Sequence, residues 1–146
     1  MAIWHHPITL DLCKQLDQGL HGKGTLMKTM AIEITEIGDD YLTATMPVIP
    51  EHHNPIGMLH GGANVVLAET VASYAANFVV DTDKYYCVGQ EISASHLKAS
   101  RNGLLTATAK AFHIGKRSSV WEIKITNSRG ELCCVSKMTA AVVERK

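Results

Sequence analysis

Apolar and polar residues alternate along most of this chain and change to a helical period in one long stretch. Met30, Ile32 and Ile34 alternate with Ala31, Glu33 and Thr35, which is the period of a strand with one buried face. Gly38-Asp39-Asp40 turns the chain into a second predicted strand, Tyr41 to Val48. Upstream, Thr9 can cap a helix running to about Leu20 with Leu12, Leu16 and Leu20 on one face. From Gly62 to about Val79 the repeat is helical. Val65, Ala68, Ala72, Ala75, Ala76 and Val79 form an apolar stripe whose small side chains permit close packing on a sheet. Gly62, Val66, Glu69 and Ser73 fall on a different face, because steps of three and four return to the same side.

Four β-like runs follow, Tyr85 to Ala99, Leu104 to His113, Ser119 to Thr126 and Leu132 to Val143. Ser100-Arg101-Asn102-Gly103 and Asn127-Ser128-Arg129-Gly130 are turn signals between them, and Ile114-Gly115-Lys116-Arg117-Ser118 is a basic connection. Helix, two strands, long helix and four strands make an α+β order. With 146 residues and no repeat or linker, a single domain over 1–146 is expected, its core at about 26–143.

Lysine plus arginine balance aspartate plus glutamate to a formal net charge of zero, so no global field recruits nucleic acid or a membrane surface. The N-terminus lacks the pattern of a secretory signal, and the longest apolar stretch is broken by Ser73 and Asn77; a cytoplasmic protein is expected. Cys13, Cys87, Cys133 and Cys134 form no C-x-x-C pair and read as buried free thiols. His52-His53 and His5-His6 are adjacent pairs whose side chains diverge, so both read as solvated loop residues and no metal site is predicted.

The chemistry concentrates in Asn54-Pro-Ile-Gly-Met-Leu-His-Gly-Gly-Ala-Asn-Val-Val-Leu-Ala-Glu. A double glycine at a helix start leaves amide donors open to a ligand, and the positive helix end suits an oxygen that gains charge. A carboxylate in an apolar run needs a partner or a task, which marks Glu69 as a reactive group.

The His60-Gly-Gly-x₆-Glu69 segment opening the long helix resembles the hotdog fold, in which a sheet wraps one central helix. Ile37-Gly-Asp-Asp, Ala44-Thr-Met-Pro-Val, Leu59-His-Gly-Gly-Ala, Val66-Leu-Ala-Glu, Ala94-Ser-His, Arg101-Asn-Gly, Val120-Trp-Glu-Ile and Leu132-Cys-Cys extend the likeness from about Ile8 to Val143. Together they are similar to the small bacterial branch of acyl-CoA thioesterases. That branch includes the menaquinone-pathway dihydroxynaphthoyl-CoA thioesterase and the enterobactin-pathway proofreading thioesterase.

The resemblance implies Glu69 as nucleophile or general base, the Gly61 amide as donor to the thioester carbonyl, and His60 as a group that holds and polarises it. It implies a helper role for Ser73, and a positioning role for Asn54, where the branch usually carries the longer glutamine. Gly89, His96, Lys98, Gly115, Lys116 and Arg117 match substrate and coenzyme A contacts, with the cations on phosphates. The implied assembly is a homodimer with composite active sites, associating further into a homotetramer. The implied substrate is an aromatic (hydroxybenzoyl- or dihydroxynaphthoyl-type) or medium-chain acyl-CoA, with acyl-carrier-protein thioesters as the alternative. No cofactor is implied beyond the coenzyme A of the substrate. Thioester hydrolysis fits such a site, because coenzyme A thiolate leaves readily and one carboxylate with an oxyanion hole can suffice. Two competing readings are a hotdog dehydratase or hydratase and a non-catalytic acyl-CoA-binding protein.

Overall fold

The computed structural model describes residues 1–146. Its elements are α1 (Leu10–Asp17), α2 (Leu26–Met30), β1 (Glu33–Ile37), β2 (Tyr41–Pro47), a 3₁₀ turn (Pro50–His52), α3 (Gly61–Phe78), β3 (Tyr85–His96), β4 (Leu104–Ile114), β5 (Ser118–Thr126) and β6 (Leu132–Glu144). The strands form one antiparallel sheet in the order β1-β2-β4-β5-β6-β3, and α3 packs against β2, β4, β5, β6 and β3.

Thr9 caps α1 as expected, its side chain accepting from the Leu12 N–H at 3.1 Å, but the helix ends three residues early. The chain turns at Gly19, whose φ of 69° suits glycine. The buried residue of α1 is Cys13; Leu16 is half exposed and Leu20 fully so, which corrects the expected leucine face. The run starting at Met30 is likewise shorter as a strand, because Thr25 caps an additional short helix, α2, that ends with Ala31 in the left-handed region at φ 55°. Of the predicted alternation, Ile32 and Ile34 are buried at the entry to and within β1, while Met30, at the end of α2, packs half-buried against the core.

The core lies between the sheet and α3. Leu42, Ala44 and Met46 of β2, Leu105, Ala107 and Ala109 of β4, and Trp121, Ile123 and Ile125 of β5 alternate inward and are fully buried. Leu67, Ala68, Val71, Ala72, Ala75 and Ala76 meet them from α3, so the alanines bring the helix close while Leu67 and Val71 fill the sheet's hollow. Trp121 satisfies its Nε1–H on Ser119 Oγ at 2.8 Å. All four cysteines are buried thiols, and burial raises the pKa of Cys13, Cys87 and Cys134. No helix is long and apolar enough to cross a membrane.

Two further ties position α3. Asn77 donates to Ser73 O at 2.8 Å and Cys87 O at 3.0 Å and accepts from Cys87 N at 2.8 Å, clamping the helix to β3. Tyr74 Oη donates to Asp17 and holds α1 against the same helix. β3 lies at the end of the sheet, with β6 on one side only and a bulge between Gly89 and Glu91. Tyr85, Tyr86 and Val88 stand exposed along it.

Candidate active site

The loop before α3 is built from its own polar groups. Asn54 Oδ1 accepts from Ile56 N at 3.1 Å and Met58 N at 3.2 Å, so its carboxamide is fixed by the loop while its NH₂ makes no hydrogen bond within the chain. His52 is buried, not solvated as expected. Its Nδ1 pairs with Pro47 O at 2.8 Å, and its carbonyl accepts from His60 N at 2.8 Å, fixing where the next residues start. His53, half-buried, meets Arg101 O through Nε2 at 3.2 Å.

His60 is the N-cap of α3. Its Nδ1 accepts from Gly62 N at 2.8 Å, which puts the proton of a neutral ring on Nε2 and makes that nitrogen a donor toward solvent. The Gly61 N–H lies in the first turn, where the helix offers no acceptor, and none of the turn and cap hydrogen bonds uses it. His96 crosses directly over Gly61: a Cβ there would stand 3.0 Å from His96 Nε2. Gly61, Asn64, His96 and Lys98 line one cavity of about 310 Å³ with Leu59 and Ser100.

Glu69 sits two turns further along α3, half-buried rather than buried as the apolar run suggested. Its carboxylate lies against β3 where Gly89 has no side chain; a Cβ at 89 would fall 2.3 Å from Oε1. A cavity of about 410 Å³ opens beside it, bounded by Thr25, Leu26, Met27, Val66, Thr70, Ser73 and Tyr74. Ser73 is a neighbour of Glu69 as predicted, and its hydroxyl points at Met138 Sδ at 3.8 Å. Ser73 and Tyr74 also border a second, more apolar cavity of about 500 Å³ under α1, lined by Ile8, Leu12, Leu16 and Phe78, with Arg145 and His6 among its walls.

The predicted residues thus fall into two groups within one chain. Asn54, His60, Gly61, His96 and Lys98 belong to the N-terminal end of α3, whereas Glu69, with Gly89 against it, lies about 12 Å along its axis, eight residues at about 1.5 Å each, and Ser73 one turn further. Gly89 pairs with Ala140 and Ala140 with Ser119, so the β4–β5 turn carrying Gly115, Lys116 and Arg117 lies just beyond the Glu69 row. Lys116 and Arg117 are exposed and form no ion pair, but Lys98 is held by Glu131, which also binds Arg129 Nε at 2.7 Å. Away from both groups, ligand atoms of His5, His6 and Asp81 come within 4.8 Å of one another on the surface, although Asp81 already pairs with Lys84 at 2.9 Å.

Sequence reasoning missed Asn64. It is 5% exposed, and its Nδ2 lies 3.2 Å from His96 Nδ1. Polarity inside an otherwise apolar helical stripe was the available signal. It missed His52 because adjacent histidines were treated as one solvated pair.

One long helix laid against a single six-stranded antiparallel sheet is the hotdog fold. Residues 56–134 match the family model described as the thioesterase superfamily, and the chain belongs to that family as a thioesterase-family hydrolase. It is 47% identical over 142 residues to a Vibrio cholerae protein named as an esterase, covering 97% of this chain and 91% of that one. It is 39% identical over 141 residues to the 1,4-dihydroxy-2-naphthoyl-CoA hydrolase of Escherichia coli K12, covering 97% and 99%. The crystal structure of a mutant thioesterase from Pseudomonas aeruginosa superposes with a TM-score of 0.93 at 38% identity, over 99% of this chain and 100% of that one.

Proposed function

We propose that this protein hydrolyses acyl-CoA thioesters at sites shared between two copies of the chain. The observation that carries this reading is the separation along α3. Glu69 lies about 12 Å from the Gly61 amide of its own helix, too far for one thioester carbonyl to meet both. A copy that pairs antiparallel through the open edge of β3 removes the difficulty. Pairing centred near Ile92 places Gly89, and Glu69 above it, across from the Gly61 and His96 end of the other copy. The exposed Tyr85, Tyr86 and Val88 favour such an edge, which proteins otherwise protect. Association of these dimers into a tetramer completes the proposed assembly.

In this site the Gly61 N–H and His60 Nε2–H donate to the thioester carbonyl and stabilise the oxyanion. Glu69 attacks the carbonyl carbon directly or takes a proton from the attacking water, and coenzyme A leaves as the thiolate. Asn54 contributes through its NH₂, the one group its loop leaves unused, and so serves the carbonyl rather than a water that needs an acceptor. Lys116 and Arg117 bind coenzyme A phosphates, with Lys98 joining from the other end of the site. Nothing beyond the coenzyme A of the substrate is required as a cofactor.

The cavities along Glu69, Ser73 and Tyr74 support a broad or medium-length acyl group, aromatic thioesters of the hydroxybenzoyl or dihydroxynaphthoyl type first. The test is a panel of acetyl-, octanoyl-, hydroxybenzoyl-, dihydroxynaphthoyl- and palmitoyl-CoA followed with a thiol-reactive dye. The aroyl thioesters are expected to give the highest kcat/KM; a palmitoyl- or acetyl-CoA optimum contradicts the substrate class, and no thiol release from any member contradicts the hydrolase reading.

A further inference from the structure

We propose that Asn64 is a positioning residue that fixes the tautomer of His96, so that His96 Nε2–H joins the Gly61 N–H among the donors around the thioester oxygen. This inference rests on Gly61 being the carbonyl donor. Three observations converge on it. Asn64 Nδ2 lies 3.2 Å from His96 Nδ1, and Asn64 is 5% exposed, so the donor side of the bond is shielded from water while the ring of His96 stays exposed. His96 Nε2 is the ring atom nearest the point a Cβ on Gly61 would occupy, 3.0 Å away, so the missing side chain lets the ring come close without shifting. Gly61, Asn64 and His96 line the same cavity.

The direction of the bond follows from what each orientation of the amide leaves unmade. With Nδ2 donating to Nδ1, the proton of the neutral ring must sit on Nε2, and the buried group without a partner is the single oxygen Oδ1. Turning the amide over would put an NH₂ with two hydrogens where Oδ1 now stands, which is the costlier group to bury unpaired. An Nε2–H beside an open helix-terminal amide is suited to an oxygen that gains negative charge. An Nε2 without hydrogen would repel it. His96 thereby changes from a general contact for coenzyme A into a donor at the reacting carbonyl, oriented by the buried amide of Asn64.

Long-range ¹H–¹⁵N spectra of the wild-type protein read the tautomer directly, and His96 is expected in the Nε2–H form. Asn64→Asp keeps the size but offers only acceptors, so the ring should move to the Nδ1–H form. Asn64→Leu removes the bond, and both variants should lose kcat with KM changed little, by up to the roughly 10²- to 10³-fold that loss of one oxyanion donor costs. His96→Gln, whose amide nitrogen reaches as far as Nε2, should retain more activity than His96→Leu. An Nδ1–H ring in the wild type, or full kcat in either Asn64 variant, overturns the proposal. Should Asn64→Leu fail to fold, the wild-type spectrum and Asn64→Asp still decide. Failure of the hydrolase reading is distinguishable, since the wild type would then release no thiol.

Discussion

Replacing Gly89 with alanine tests the proposed role of the Glu69 carboxylate separately from the fold. A methyl at position 89 would stand 2.3 Å from Glu69 Oε1 and 3.3 Å from its Cδ, so the carboxylate must retreat by about 1 Å to restore an ordinary contact. Other neighbours do not object, the nearest being Met138 Sδ at 3.6 Å. The end of a half-buried glutamate moves more cheaply than the strand, so the backbone should stay in place. Glycine inside a strand costs roughly 0.5–1 kcal/mol relative to alanine, and thermal stability should therefore hold or rise slightly. Catalysis should not hold, because about 1 Å of misplacement at the reacting atoms can cost around 10²-fold. The assay is steady-state hydrolysis of hydroxybenzoyl-CoA beside a thermal melt of the same preparation. A kcat near that of the wild type would refute the placement of Glu69 at the reaction, and a matching collapse of the melting transition would show that Gly89 serves the fold.

Lys116→Ala and Arg117→Ala should raise KM several-fold with kcat nearly unchanged, because phosphates far from the carbonyl are bound alike in ground and transition states; Lys98→Ala should do less, since Lys98 must first leave Glu131. Equal losses with a substrate truncated to pantetheine would contradict this. Burial and the neighbouring Asp17 push the Cys13 thiol up from 9.0 to about 11. A pKa raised on folding contributes stability that is complete below about pH 9 and lost as pH rises through about 11, so the thermal midpoint should fall over that window and fall less steeply in Cys13→Ala. An identical slope in the variant would count against it.

Periodicity and turn chemistry made the strands after Tyr85, the turns at Asn102-Gly103 and Arg129-Gly130, and the long helix legible to within a few residues, since each has a buried face or a fixed turn. α2 was hidden because Met30, Ile32 and Ile34 read equally as a strand, and the cap at Thr25 was the only local sign. The sheet order could not be read: placing β3 at the edge beyond β6 is a long-range pairing that no local pattern carries. At the site, Glu69, Ser73, His60 and Gly61 were visible as a spacing. The closeness of Glu69 to Gly89, the burial of His52 and the link from Asn64 to His96 join residues 20 to 32 positions apart or depend on a single carbonyl. The Glu69 and Asn64 links emerge only when the helix is laid on β3, and that of His52 only when the loop folds back on Pro47.

Subunit complementation tests the central claim most directly. Glu69→Gln alone should lower kcat by roughly 10²–10⁴, and His60→Ala alone should be similarly poor. Co-refolding equal amounts of the two should restore about a quarter of wild-type turnover, because half of the dimers are then mixed and each mixed dimer carries one intact site and one doubly altered site. Mixed dimers verified by mass spectrometry that remain inactive would contradict a site in which Glu69 of one copy works against His60 and Gly61 of the other.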